Sequence, residues 1–193
     1  MGGAQMMQRA EALKVICENR TDEIVVATMS AIKDWKKLSS SPLDFYVAGA
    51  MGYASSVGLG LSMAQANRKV IVLDGDGSLL MNLGTLVTIA ALHPGNLIHF
   101  VLENQLYEVP GGIPLPGVGK YNLGAFARAA GLTKVYEFDQ LTDFREQVGS
   151  ILREPGPSFA SLRVAQGPSG PTPSINHAEM ARKLEASLRE FPK

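Results

Sequence analysis

The sequence predicts an α/β fold in which a mostly parallel sheet carries helices on both faces, a three-layer sandwich. Three observations support this prediction. Apolar segments rich in β-branched residues alternate along the chain with segments of helical periodicity. The strand segments are continuously apolar, which is typical of strands covered on both faces. The chain has 193 residues, 46% of them hydrophobic, which is enough for one domain with a sizeable core.

Six segments have the composition of strands, because Val, Ile, Leu and Phe dominate them and turn residues flank them. They span residues 23–29, 44–47, 70–74, 97–103, 134–138 and 158–164. Seven segments place apolar residues at helical spacing. They span residues 5–18, 30–38, 52–65, 83–92, 123–130, 141–153 and 175–191.

The connections between these elements also carry information. Residues 104–121 form a loop rich in Gly and Pro that is too long for an ordinary connection, and its length suggests a function. Segment 52–65 contains Gly58 and Gly60, each of which weakens a helix by about 1 kcal/mol relative to Ala. We therefore expect this helix to be tightly buried, with neighbours packed close to both glycines. We expect a single domain over residues 1–193, with a linker at 166–174 and a terminal helix at 175–193.

Composition and charge exclude several classes of protein. The 18 basic residues balance the 18 acidic ones and form no long block, which argues against a nucleic-acid partner bound through bulk positive charge. The single cysteine, Cys17, excludes an intrachain disulfide framework and a multi-cysteine metal site. No stretch approaches the 18 or so apolar residues of a membrane span, and the N-terminal residues do not resemble a secretory signal. We therefore expect a cytoplasmic protein without membrane contact.

Polar residues follow two neighbouring apolar strand segments. Gly75-Asp76-Gly77-Ser78 leaves the strand at 70–74, and its glycines let the backbone approach a ligand closely. An acidic side chain in a phosphate-binding loop repels phosphate unless a cation lies between them, and Mg²⁺ uses carboxylate or amide oxygens together with phosphate oxygens. Asn104, at the end of the strand at 97–103, is a suitable second donor. A nicotinamide site is excluded, because no G-x-G-x-x-G sequence follows a strand.

The GDGS sequence, followed after 26 residues by Asn104, resembles the diphosphate–magnesium motif of thiamine diphosphate (ThDP) enzymes. The similarity runs from about residue 44 to residue 138 and includes the stretches FYVAGAMGYASSVGLGLSMAQ and VIVLDGDGSLLMNLGTL. The resemblance implies a thiamine diphosphate-binding fold, with ThDP and Mg²⁺ as cofactors. The implied metal ligands are Asp76, the side chain of Asn104 and the backbone carbonyl of Leu106.

The same resemblance implies a set of cofactor contacts. Gly77 and Ser78 would contact the diphosphate, and the Gly49 carbonyl would accept a hydrogen bond from the aminopyrimidine. Met51 would be the apolar wedge that bends the cofactor into the V shape in which its amino group can remove a proton. The remaining implied cofactor-binding residues are Ala50, Gly75, Asp76, Asn104, Leu106 and Tyr107.

The family's activating glutamate lies on a separate pyrimidine-binding domain, for which we expect no room in 193 residues. The resemblance therefore implies that a separate pyrimidine-binding subunit supplies this glutamate. The chain is most similar to the group of sulfopyruvate decarboxylase beta subunits and phosphonopyruvate decarboxylases. We expect a dimer or tetramer of such pairs of chains.

The loop after Asn104 departs from that group, whose members tend to have His-Glu/Asp-Ser-Val-Gly-Gly-Gln. Tyr107 and Ile113 replace the His and the Gln, which leaves the identity of the substrate open. Glu108 is the candidate catalytic residue, because a titratable group in this loop can move a proton near the reacting carbon. The alternative is that Glu108 is a solvated loop carboxylate.

These features predict a subunit of a decarboxylase that acts on a small 2-oxo acid, with ThDP as the electron sink while carbon dioxide leaves. Two alternatives stay open. A carboligase of the acetolactate synthase type uses the same cofactor residues. A non-catalytic cofactor-binding protein is the other alternative, against which the intact Asp76 and Asn104 argue.

Overall fold

The strands form one parallel sheet and a separate small hairpin. The computed structural model describes residues 6–167 and 173–190 of the chain. Its strands are β1 (Ile24–Thr28), β2 (Asp44–Val47), β3 (Val70–Gly75), β4 (Leu97–Glu103), β5 (Leu106–Tyr107), β6 (Ile113–Pro114), β7 (Lys134–Phe138) and β8 (Ser158–Arg163). Six of them pair in the order β2-β1-β3-β4-β8-β7, and every pairing is parallel. The predicted α/β fold with a mostly parallel sheet is confirmed.

Helices cover both faces of this sheet. They are α1 (Arg9–Asn19), α2 (Ser30–Leu38), α3 (Ala54–Ala64), α4 (Asp76–Met81), α5 (Thr85–Leu92), α6 (Leu123–Ala129), α7 (Leu141–Arg153) and α8 (His177–Glu190). Alternate residues of the strands point to opposite faces, so two apolar layers form. One layer holds Trp35, Phe100 and Phe144 with α1, α2 and α7; the other holds Leu79 and Phe159 with α3 to α6.

The helical predictions hold with three differences. The helix predicted at 5–18 begins at Arg9, because the described residues 6–8 are not helical and Met7 forms a parallel bridge with Val164. The predicted helix at 83–92 begins at Thr85, and a separate short helix, α4, precedes it. The predicted linker at 166–174 and the outer ends of the first and last predicted helices lie partly outside the described residues. The single domain over residues 1–193 stays a prediction.

The two glycines of α3 differ in their surroundings. A Cβ atom on Gly58 would lie 2.2 Å from Cγ2 of Val72, so β3 packs directly against this glycine as expected. A Cβ atom on Gly60 would meet nothing within 4 Å, and Met63 on the same helix is 58% exposed. The prediction of close packing at both glycines is therefore wrong for Gly60, because α3 buries only the face that it turns to the sheet.

The order of the strands creates a crevice at the carboxyl edge of the sheet. The chain leaves β1 for β2 on one side of it and then returns to β3 on the other side. In open parallel sheets, ligands bind where the strand order reverses in this way, beyond the carboxyl ends of the strands. The long loop at 104–121 starts at this edge and contains the antiparallel hairpin of β5 and β6. No helix in the described part of the chain is long and apolar enough to cross a membrane.

Candidate functional site

A cavity lies at this crevice, and the empty space between its lining residues, open solvent included, is about 430 Å³. The ends of β1, β3 and β4 form its floor, and the loop after β4 forms a wall. The predicted site residues Met51, Asp76 and Asn104 all line it, together with Glu108. The lining residues also include Gly75, Gly77, Ser78, Leu106 and Tyr107. Most of the predicted site residues therefore lie around one cavity, although they come from three separate stretches of the chain.

Asp76 lies at the start of α4 and is only 2% exposed. Its Oδ1 accepts a hydrogen bond from the N–H of Gly77 at 2.8 Å, and its Oδ2 accepts one from the N–H of Gln105 at 2.6 Å. Burial raises the pKa of Asp76 to about 7, although these N–H donors oppose the shift. Within the described residues no Lys or Arg pairs with Asp76, so a bound cation would stabilise its charged form.

Asn104 immediately follows β4, which pairs with β3 so that Gly75 lies opposite Leu102. Its Oδ1 accepts a hydrogen bond from the N–H of Leu106 at 3.0 Å, and its Nδ2 donates to Oε2 of Glu108 at 2.8 Å. The bond from the next residue, Gln105, to Asp76 connects the ends of the two strands. The register of the parallel sheet thus brings together the two side chains that the sequence predicts as metal ligands.

The donor set fits a magnesium ion that is completed by phosphate. Asp76 supplies a carboxylate and Asn104 an amide oxygen, which are the hard oxygen ligands that Mg²⁺ prefers. No group of three or more His, Cys, Asp or Glu side chains suited to a metal occurs in the described ranges. A site with this single carboxylate leaves room for diphosphate and water oxygens, as is usual for Mg²⁺.

The backbone around Gly77 leaves no room for a side chain. A Cβ atom there would lie 2.7 Å from Cδ1 of Tyr107 and 3.0 Å from Cδ2 of Leu115. Ser78 connects this turn to the segment at 49–52, because its Oγ accepts a hydrogen bond from the N–H of Gly52 at 3.0 Å. Glycine at position 77 therefore lets Tyr107 and Leu115 pack directly against the start of α4, close to the segment that carries Met51.

The segment at 49–52 needs its two glycines. Gly49 and Gly52 have φ angles of 76° and 82°, in the left-handed region where residues with a Cβ atom are strained. A Cβ atom on Gly52 would also lie 3.3 Å from Cβ of Met81. Gly49 is exposed and Ala50 half-buried, and neither lines the cavity as Met51 does.

Glu108 is not a solvated carboxylate, so that alternative is wrong. It is 6% exposed, accepts a hydrogen bond from Asn104, and forms an ion pair with Nη1 of Arg9. The Nε of Arg9 also pairs with Oδ2 of Asp34, at 2.8 Å. Burial lowers the pKa of Arg9, but its bonds and charge interactions with Asp34 and Glu108 more than offset this and raise it.

Several residues that line the cavity were not predicted from the sequence, and three of them have notable geometry or contacts. Arg9 was missed because it lies 99 positions from Glu108 in the sequence. A cation among polar neighbours in the first turn of a helix indicates only a solvated helix face. Met29, directly after β1, has a φ angle of 49°, a strained conformation of the kind found at functional sites. Asp74 is fully buried, with its Oδ2 3.3 Å from Nε2 of His99. For Asp74, the one signal in the sequence was its position as an acidic residue at the end of an apolar strand.

Comparisons with known proteins identify the family of this chain. A family model described as "Thiamine pyrophosphate enzyme, C-terminal TPP binding domain" matches residues 24–162. The sulfopyruvate decarboxylase subunit beta of Methanothermobacter thermautotrophicus is 40% identical over 163 residues, which are 84% of each chain. The phosphonopyruvate decarboxylase of Streptomyces viridochromogenes is 35% identical over 182 residues, 93% of this chain but only 45% of its own length.

A solved structure shows the same fold at much lower identity. It is the 2-oxoglutarate:ferredoxin oxidoreductase of Magnetococcus marinus, which has a TM-score of 0.70 at 14% identity and covers 95% of this chain and 69% of its own. The matched residues 24–162 extend from the start of β1 nearly to the end of β8 and include Asp76 and Asn104. The chain therefore belongs to the family of thiamine pyrophosphate enzymes and carries their C-terminal TPP binding domain.

Proposed function

We propose that this chain is the subunit that binds ThDP and magnesium in a decarboxylase of small 2-oxo acids of the sulfopyruvate or phosphonopyruvate type. The observation that carries the proposal is the buried contact between Asp76 and the residues that follow β4. It places an otherwise uncompensated carboxylate beside the amide of Asn104, on the same cavity. The names of the relatives supply the class of reaction.

Each predicted site residue has a distinct task in this proposal. Asp76, Oδ1 of Asn104 and the carbonyl of Leu106 hold Mg²⁺, and the backbone of Gly77 and Ser78 binds the diphosphate. When bound, ThDP would supply the electron sink for the electrons of the carbon–carbon bond that breaks when the substrate's carboxyl group leaves as carbon dioxide. The further cofactor contacts are the carbonyl of Gly49, the side chain of Met51, and Ala50, Gly75 and Tyr107.

The loop that starts at Asn104 has two tasks in the same proposal. Its hairpin and the side chain of Leu115, which is only 3% exposed, cover the start of α4 and keep water from the anchored diphosphate. Glu108 is the residue proposed to hold or move a proton near the reacting carbon, because it is the carboxylate that this loop brings to the cavity.

The partner subunit is proposed to bind across α3, α4 and α5. Four large apolar side chains on these helices are between 50% and 58% exposed, and such a patch is typical of a protein interface. They are Met63, Met81, Val87 and Leu92. The matched relative from Methanothermobacter is itself named a beta subunit. We propose that the partner binds the pyrimidine and supplies the activating glutamate, and that the enzyme is a dimer or tetramer of such pairs.

A calorimetric titration tests the cofactor assignment. ThDP is titrated into the full chain with and without Mg²⁺, first alone and then with the co-expressed candidate pyrimidine-binding chain. We expect binding that requires Mg²⁺ and is lost in Asp76→Ala, while the matched variant of an exposed acid, Asp143→Ala, binds like the parent. Unchanged ThDP binding by Asp76→Ala would contradict the metal assignment. Binding that is equally tight without the partner would contradict the split site.

The substrate class is tested on the assembled enzyme. Sulfopyruvate, phosphonopyruvate and pyruvate are offered separately, and released carbon dioxide is measured together with the organic product. We expect an aldehyde from one of the two acids that carry a second anionic group. Joining of two pyruvate units would instead indicate a carboligase of the acetolactate synthase type.

A further inference from the structure

Arg9 connects three elements that are far apart in the sequence. It is the first residue of α1, and its side chain is 11% exposed. Nε of the guanidinium binds Asp34 on α2, and Nη1 binds Glu108 in the loop after β4. A Cβ atom on Gly167 would lie 3.5 Å from both Nη2 of Arg9 and Oε1 of Glu108, so the segment after β8 packs over this ion pair. The position of Glu108 is therefore determined from outside its own loop.

Glu108 in turn determines which way the amide of Asn104 faces. A carboxylate can only accept hydrogen bonds, so Oε2 of Glu108 requires the NH₂ group of Asn104 and not its oxygen. The oxygen is thereby directed to the other side, where it accepts from the N–H of Leu106. If the amide were flipped, its oxygen would face the carboxylate and its NH₂ group would face the N–H of Leu106. Both contacts would then be repulsive.

We propose that Arg9 is a positioning residue, which holds Glu108 so that Asn104 presents its oxygen, and not its nitrogen, as a metal ligand. This inference rests on the proposed function for the metal, but the orientation of Asn104 is a property of the chain itself. Partners that orient a metal ligand without touching the metal commonly change metal affinity by about 10- to 100-fold when they are removed. Arg9 acts on the metal site in this way from a helix that lies 99 positions before Glu108 in the sequence.

The test compares Arg9→Met with a matched control in the full chain together with its pyrimidine-binding partner. Lys14→Met removes the same charge from the same helix, at a side chain that is 62% exposed. At saturating ThDP we expect Arg9→Met to bind Mg²⁺ about 10- to 100-fold more weakly than the parent. We expect Lys14→Met to stay within about twofold of it. Metal affinity of Arg9→Met equal to that of the parent would overturn the inference.

A second variant distinguishes positioning from a general loss of structure. If Arg9 acts through Glu108, the double variant Arg9→Met/Glu108→Gln loses no more affinity than the weaker-binding single variant. Effects that multiply would mean that Arg9 acts by another route, and would overturn the inference. Arg9→Lys keeps the charge but lacks the forked donors, so we expect an intermediate affinity. It carries the test if Arg9→Met does not fold.

Amide hydrogen exchange tests the inference without any cofactor. The N–H of Leu106 is bonded to Oδ1 of Asn104, so its exchange rate reports the orientation of that amide. In the full chain we expect faster exchange of this N–H in Arg9→Met and an unchanged rate in Lys14→Met. If the parent binds no ThDP with Mg²⁺, the proposed function fails while this measurement still decides the role of Arg9. An unchanged rate at Leu106 in Arg9→Met would refute that role.

Discussion

The buried carboxylate of Asp76 makes the metal-free chain less stable as the pH rises. Its pKa is about 7 in the folded chain, against an ordinary value of 3.8. Between these two values the folded chain keeps a proton that the unfolded chain has already released. Since the folded state binds more protons, the free energy of unfolding decreases as the pH rises through this window. A shift of about three units corresponds to about 4 kcal/mol at 1.36 kcal/mol per unit.

Asp76→Asn removes this pH dependence, because the amide does not titrate. The variant also loses an acceptor, since Asn has one side-chain oxygen where Asp76 accepts from both Gly77 and Gln105. That loss costs about 1–3 kcal/mol and is the same at every pH. The free energy of unfolding of the variant minus that of the parent should therefore rise by about 4 kcal/mol from pH 4 to pH 8, whatever its starting value.

Urea unfolding of the full chain in EDTA, at several pH values from 4 to 8, measures this difference. The exposed acid Asp143 provides the control, since Asp143→Asn should follow the parent at every pH. Unfolding free energies of Asp76→Asn and the parent that stay parallel over the whole range would refute the reasoning. Added ThDP and Mg²⁺ should stabilise the parent at pH 8 and leave Asp76→Asn unchanged, because the cation replaces the missing counter-charge.

Three further variants test the packing and the buried ion pairing that stabilise the fold. Gly58→Ala places a methyl group 2.2 Å from Val72 and should lower the free energy of unfolding by about 1–3 kcal/mol. Gly60→Ala has no neighbour within 4 Å and should raise the free energy of unfolding by about 0.5–1 kcal/mol. Thermal unfolding of both variants measures these changes, and equal shifts in the two variants would contradict the reasoning. Asp44→Asn leaves Arg20, whose side chain is 6% exposed, without its carboxylate partner and should cost about 3–5 kcal/mol in urea unfolding. A loss below 1 kcal/mol would show that Arg20 finds another partner.

The sheet was predictable because its central strands β1, β3 and β4 are buried on both faces. A strand of this kind is apolar at successive positions, as in the stretch VIVL at 70–73, and needs no information from its partners. The meeting of the two polar strand ends was also predictable, because the carboxyl ends of neighbouring parallel strands lie at one edge of the sheet. The family resemblance then implied further contacts at Met51, Ser78 and Leu106, which spacing alone did not indicate and which stay predictions.

Contacts between distant segments were not predictable. The ion pair of Arg9 with Glu108 depends on how α1 packs across the sheet, and neither residue carries a local signal of burial. The short helix α4 was not predicted, because Gly75-Asp76-Gly77-Ser78 has the composition of a loop, and the helix predicted at 83–92 begins two residues later, at Thr85. Gly60 was misjudged because a glycine in an apolar helix indicates close packing without indicating on which face.

The charges at the cavity link stability to cofactor binding. Asp74, Asp76 and Glu108 line it, and Arg9 is the one guanidinium or ammonium group among the described lining residues. Arg9 is already engaged by Glu108 and Asp34, so it does not neutralise Asp76. A diphosphate entering this cavity alone would be repelled, whereas a divalent cation satisfies both it and the carboxylate. The stability that the metal-free chain loses by burying the charged form of Asp76 is thus regained as affinity for the metal. Asp76→Asn avoids this loss of stability, but only by removing the carboxylate that would bind the metal.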